Sequence, residues 1–219
     1  MLLPRGKLIK DEFNPVRMNW LEAIQKLQSG RFSGYLSCRD LHGRGVVLFV
    51  GGRLVAVRFV EEGAHLVDQE AFARIFACSL SGDTMLSIYR LSQVLALQLF
   101  GVISGEVLFV AQQLQLLDIP HLLHTLKHDC FKGCLRVSAA EDVALIFFDQ
   151  GNPIGFFHDG CTDLLQAAEL SESVAWQPGA SVDIIAVQSE LAENLPDLMQ
   201  SLDLLGCWQQ AVASAAQAR

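Results

Sequence analysis

The sequence predicts an α+β fold of two repeated modules, each a small antiparallel sheet with flanking helices, joined by a helical connector. Three observations predict it. Phe32-Ser-Gly34-Tyr-Leu36 aligns with Phe131-Lys-Gly133-Cys-Leu135, and Leu48-Phe49-Val50-Gly51-Gly52 with Phe147-Phe148-Asp149-Gln150-Gly151, at a constant offset of 99 residues. Each copy carries a glycine turn between two apolar runs, and each is preceded by a capped, amphipathic helical stretch.

The elements follow in the same order in both copies. The first helix opens at Asn19, whose side chain can cap it with Glu22 three residues on, and its counterpart opens at Asp118 with Pro120 in the first turn. Their inward faces read Leu21, Ile24 and Leu27 in one copy and Leu122, Leu123 and Leu126 in the other. A strand follows at 32–38 or 131–138, then a hairpin, 46–50 with 53–60 and 144–149 with 153–158. Gly51, Gly52 and Gly151 occupy the tight turns as structural residues, where positive φ costs glycine little. A second helix near 65–79 or 162–172 and a closing strand at 84–90 or 181–187 complete each module.

This gives a first module with its N-terminal segment at 1–91, a helical connector at 92–117, a second module at 118–188, and C-terminal helices with a tail at 189–219. Gln98, Ser104, Gly105 and Glu106 interrupt the apolar connector, so no membrane span is expected. The start carries Pro4 and several charges rather than an apolar leader, which points to the cytoplasm and to reduced cysteines.

The 219 residues are 51% hydrophobic and carry a net charge of -8, which argues against nucleic acid as a partner. The charge is uneven. Residues 1–60 hold ten Lys/Arg against four Asp/Glu, a balance of +6, leaving -14 for the rest. A basic first hairpin suggests an acidic docking partner, with Arg53 and Arg58 as partner-binding candidates beside Trp20. The high apolar share fits a buried interface, within the chain or in a homo-oligomer.

The pattern Phe32-x-Gly34-x-Leu36, then Leu48-Phe49-x-x-Gly52-x-Leu54-Val55-Ala56, then Ser87-Ile88-Tyr89-Arg90-Leu91, resembles the PATAN domain, a bacterial signalling-associated family largely of unknown function. The second copy matches through Phe131, Gly133, Leu135, Phe148, Gly151 and Ile154 and departs at Pro153 and Gly155. The resemblance implies a non-catalytic adaptor or regulatory module that binds a protein partner. It carries over no catalytic residue and no cofactor.

The residues themselves show no P-loop, nucleophile elbow or HExxH pattern. One cluster suits metal or redox chemistry: His121, His124 and His128 share a helical face, with Cys130 and Cys134 nearby and His158 and Cys161 further on. The repeat argues against it, because the three histidines align with Glu22, Gln25 and Ser29 on a polar face. A metal- or redox-responsive protein, and an enzyme or ligand-binding domain whose site is dispersed in sequence, stand as the alternatives to an interaction module.

Overall fold

The computed structural model describes residues 3–166, 173–188 and 195–217. The chain is α+β and divides into two compact units. The first holds Lys7–Ala96 and the stretch that resumes at Leu195; the second continues from Leu97 and takes in Pro4, Arg5 and Gly6. In chain order come β1 (Lys7–Phe13), α1 (Trp20–Ser29), β2 (Gly34–Arg39), β3 (Gly43–Val50), β4 (Arg53–Glu61), β5 (Ala64–Val67), α2 (Asp68–Ser81), β6 (Met85–Arg90) and α3 (Gln93–Ser104). Then follow β7 (Glu106–Gln113), α4 (Ile119–His128), β8 (Gly133–Ala139), β9 (Asp142–Asp149), β10 (Asn152–Phe157), β11 (Ser181–Ala186), α5 (Leu198–Ser201) and α6 (Leu204–Gln217).

The first sheet has strand order β1-β6-β2-β3-β4-β5 and the second β10-β9-β8-β11-β7, with every pairing antiparallel. The repeat maps one order onto the other, with β1, β2, β3, β4 and β6 matching β7, β8, β9, β10 and β11. Among the described residues only β5 has no counterpart strand in the other copy. In its place Leu165 makes a bridge to Phe156 on the outer edge of β10, with N–H···O distances of 2.8 and 2.9 Å.

Local structure repeats down to single hydrogen bonds. Asn19 caps α1 by accepting the Glu22 N–H at 3.2 Å, and Asp118 caps α4 by accepting that of His121 at 3.0 Å. Both helices end in a Schellman motif. Phe32 N–H reaches Leu27 O at 3.0 Å and Phe131 N–H reaches Leu126 O at 2.9 Å, around left-handed Arg31 and Cys130. The hairpin turn then docks on the helix end, Gly52 N–H to Phe32 O at 2.8 Å and Gly151 N–H to Phe131 O at 2.7 Å. A Cβ on Gly52 would stand 2.4 Å from Gln28 O, and one on Gly151 2.6 Å from Leu126 O. These turns thus need glycine for closeness as well as for φ values of 88° and 74°.

The first unit's core joins one sheet face to α1, α2 and α6. Trp20, Ile24, Leu36, Val47, Phe49, Val57, Phe59, Phe72, Ile75 and Phe76 are buried there with Leu204, Cys207 and Ala211. Phe76 stands between two indoles, 5.6 Å from Trp20 and 5.4 Å from Trp208. The second unit's core is smaller, with Leu126, Leu135, Val137, Phe148, Val174, Val182 and Ile184 at its centre.

Three expectations need correction. The stretch 92–117 is helical only over Gln93–Ser104 and then forms β7, a 3-10 turn at Leu114–Leu116 and a short link. Gly105 stops the helix where a Cβ would lie 2.5 Å from Ala186 O, and the β-branched and aromatic residues beyond it favour a strand. The N-terminal segment contributes β1, and β5 precedes α2, which therefore starts at Asp68 instead of 65. Residues 162–166 form bends and an isolated bridge at Leu165 where a helix was expected; the rest of that stretch, 167–172, lies outside the described residues. No described helix is long and apolar enough to cross a membrane.

Candidate functional site

β7 closes the second sheet as an edge strand, and all eight of its residues are exposed. Its sequence is Glu106-Val-Leu-Phe-Val-Ala-Gln-Gln113, so the exposed run is apolar. Val107 is 46% exposed, Leu108 45%, Phe109 55% and Val110 63%. An ordinary edge strand would turn alternate side chains inward. Here the pairing with β11 slips twice, between Val182 and Ile184 and again between Ile184 and Ile185, and these bulges break the alternation. Ala111, at φ 50°, sits in the first bulge and donates its N–H to Asp183 Oδ1 at 2.7 Å.

β1, the matching edge of the first unit, shows how unusual this run is. It has the same kind of slips against β6, and its residues Lys7–Glu12 are exposed, but four of the six are charged. Lys10 lies over the Phe13 ring at 3.8 Å, and Glu12 pairs with Arg39 at 2.6 Å. Charges on an edge strand discourage pairing with other chains. At the equivalent positions β7 has Phe109 for Lys10, Val110 for Asp11 and Ala111 for Glu12.

Of the expected partner-binding residues, Arg53 is exposed at the start of β4. Arg58 is half-buried and already engaged, with Asp68 at 3.6 Å and Val57 O at 3.2 Å. A bulge at Val55 puts both arginines on one sheet face despite their odd spacing, opposite Val50 and Val46. The same bulge recurs at Ile154. Trp20 is not a surface residue: it is 0% exposed, against Phe76. Its Nε1 is the one buried side-chain polar atom among the described residues without a hydrogen-bond partner.

The histidine–cysteine cluster does not assemble. His121, His124 and His128 are exposed on α4, and His128 bonds Asp129 at 2.8 Å. Cys130 occupies the left-handed helix-ending position that Arg31 fills in the first unit. Cys134 is fully buried in β8, and burial pushes its thiol pKa well up. Cys161 does meet His158, with Sγ 3.4 Å from Nε2 and 3.6 Å from Nδ1, a position over the ring. Its thiol is pushed up by burial. Among the described residues no three His, Cys, Asp or Glu groups stand where they could hold a metal ion.

A groove of about 300 Å³ in the first unit is lined by Leu21, Ile24, Met199, Leu202 and Leu204, with Gln25 and Asp203. Its lining is mainly aliphatic and brings no nucleophile and base together. The apolar β7 run is the feature that sequence reading missed. The 99-residue offset, carried back to Lys7–Phe13, would have marked both edge strands, but Leu8 and Ile9 are the only apolar pair that β1 shares with it.

No curated protein and no solved structure gives a match to this chain. Residues 1–99 match the model of a family described as an uncharacterized protein conserved in archaea, DUF2226. That match replaces the PATAN resemblance and removes the bacterial signalling setting it implied. Most of the residues that suggested PATAN are buried strand positions and turn glycines, which the packing of a hairpin against a helix end accounts for. Residues 1–99, which hold Lys7–Ala96 of the first unit without its α5 and α6, are what resembles a known family, and that family is DUF2226.

Proposed function

We propose that the chain is a non-catalytic protein–protein interaction or regulatory module whose partner surface centres on β7. The observation that carries this is the exposed run Val107–Val110, placed where the other copy of the same strand is charged. Large exposed apolar patches on soluble proteins mark interaction sites, whereas single exposed hydrophobes are ordinary. The bulges and the Asp183 bond hold the run in place, so the surface is preorganised. The six cysteines are free thiols, which supports work in a reducing compartment such as the cytoplasm.

The test compares the wild-type chain with Phe109→Lys as bait under identical conditions. A protein bound by the first and lost by the second supports the reading. Turnover of a small molecule by the purified chain, unaffected by the substitution, overturns it.

A further inference from the structure

We propose that the end of the first sheet where β1 and β4 begin is a docking surface for an extended, acidic peptide segment of another protein, held by Lys7, Arg31, Arg53 and Arg90. This surface lies in the first unit and does not rest on the reading of β7.

The strand register collects the cations. Lys7 on β1 is directly opposite Arg90 on β6, level with Gly34 at the start of β2. The Arg90 guanidinium stands 5.7 Å from the centre of the Phe32 ring, and the Phe32 carbonyl accepts the Gly52 N–H at 2.8 Å. Arg31 backs onto that glycine, its Cα 3.1 Å from where a Gly52 Cβ would be, and Arg53 follows the glycine at the start of β4. All four residues are exposed, and among the described residues none of them meets a carboxylate. Toward the opposite end of the sheet the cations are matched, Arg39 by Glu12 at 2.6 Å and Arg74 by Glu61 at 2.7 Å. Like charges directly opposite are destabilising, so an anion set between Lys7 and Arg90 relieves a repulsion that the free chain carries.

The fold itself does not ask for these charges. By the same register and offset the second unit has Glu106 for Lys7, Cys130 for Arg31, Asn152 for Arg53 and Ala186 for Arg90. It forms the same helix ending and the same docked hairpin turn without any of the four. Four cations at this end of one copy become one carboxylate in the other.

The layout selects the occupant. The cations run along the sheet end in the strand order β1-β6-β2-β3-β4, a width of about 19 Å at the usual strand spacing. An extended peptide covers that width with about six residues, whereas a lone phosphate reaches only part of it. Each arginine fork matches a carboxylate. Surfaces for single-stranded nucleic acid add open rings on which bases stack, and the ring here, Phe32, is 5% exposed. Exposed ion pairs are individually weak and screened by salt, so the docking is weak and salt-sensitive.

The probe is a fluorescent peptide of about eight residues alternating Glu with Ser, long enough to cross the sheet end. Its anisotropy is followed as the full chain is titrated in. A dissociation constant between about 10 µM and about 1 mM is expected, rising with salt. Gln in place of Glu in the peptide should abolish binding. Arg53→Asn with Arg90→Ala, the residues that the second copy carries, should raise the constant about fivefold, the worth of two exposed pairs. Arg17→Gln with Arg39→Gln removes the same charge from exposed sites elsewhere in the first unit and should leave the constant unchanged. Thermal melts check that each variant is folded; if the first pair melts early, Arg53→Asn alone should still raise the constant about twofold. Absence of binding to the Glu peptide overturns the proposal, as does binding kept with Gln, left unmoved by Arg53→Asn with Arg90→Ala, or weakened equally by both pairs. Tighter binding of an oligothymidylate of the same length, lost with Arg53→Asn and Arg90→Ala, overturns it in favour of nucleic acid.

Discussion

Asp183 on β11 accepts the backbone N–H of Ala111 on β7 at 2.7 Å, and its other oxygen takes Arg136 Nε on β8 at 2.7 Å. Ser87 on β6 does the corresponding work in the first unit, accepting the N–H of Glu12 at 3.1 Å. Ser87 stands opposite Ser37 and Asp183 opposite Arg136, equivalent places in the two sheets. Glu12 and Ala111 both have positive φ, 30° and 50°, a conformation that costs an L-residue about 1–2 kcal/mol. A nearly buried acceptor on the neighbouring strand therefore holds each bulge, by a hydroxyl in one copy and a carboxylate in the other.

The two devices should differ in cost when removed. Asp183→Ala leaves Arg136 and the Ala111 N–H without their acceptor and is expected to destabilise by about 3–5 kcal/mol. Ser87→Ala removes the bond from the Glu12 N–H and the one its hydroxyl donates to Asp11 Oδ1 at 3.1 Å, and with no buried cation left unpaired it should cost less, about 1–3 kcal/mol. Urea denaturation of the two variants measures both. Equal losses would show that the ion pair adds nothing to the bulge.

Cys38 and Cys78 give the first unit a defined alkaline limit. Burial first, then the charges on Cys78 and Asp40, push the Cys38 thiol up to about 12. Burial, opposed by Arg74, takes Cys78 to about 12. Each folded pKa is above the unfolded value of 9.0, so the folded state favours the protonated thiol. This contribution is fully present below pH 9 and is lost as pH rises toward 12. The double variant Cys38→Ala, Cys78→Ala should lose less stability than the wild type over that window. At pH 8 exposed Cys130 should react with a thiol reagent long before either buried cysteine.

Removing α6 should unfold the first unit rather than shorten it. Leu204, Cys207 and Ala211 are core residues, and Trp208 meets the Phe76 ring at 86°. Trp208→Ala is expected to cost about 3 kcal/mol. A chain ending at Asp203 should bind a hydrophobic dye and lose its cooperative melt. By the same argument residues 1–99, the stretch similar to DUF2226, should not fold stably alone. A cooperative melt of that fragment would refute this.

Adjacent glycines should respond differently. Gly52→Ala places a Cβ 2.4 Å from Gln28 O at φ 88°, and should cost more than the roughly 1 kcal/mol typical of a point mutant. Gly51→Asn should be mild, because the nearest atom is 3.4 Å away and Gln150 already fills the equivalent place at φ 46°. Chemical denaturation of the pair gives the comparison directly.

Much of this architecture is legible in the residues. The offset of 99, the caps Asn19 and Asp118, and the turn glycines locate the helix, strand and hairpin of each copy, because these signals act over a few residues. The edge strands were not legible. Lys7–Phe13 looks like a charged tail, and Glu106–Gln113 like the end of an apolar helix, since a short apolar run fits either period. Pro153 and Gly155, which looked like departures from the repeat, have a reason in the sheet order. β10 is an outer strand, where a missing N–H is tolerated, and Gly155 leaves room for Leu164, whose Cγ a Cβ would approach to 2.3 Å. Trp20 was misread because its burial depends on α2 and α6, far away in sequence.

The sequence by itself determined the duplication, the α+β class and the local punctuation of each module, since hydrophobic period, capping and turn geometry are properties of neighbouring residues. Only the tertiary structure decided which strands are edges, that α6 returns to the first unit, and that Val107–Val110 faces solvent while Trp20 does not. Those outcomes depend on which surfaces remain once distant segments have paired, and no local pattern records that.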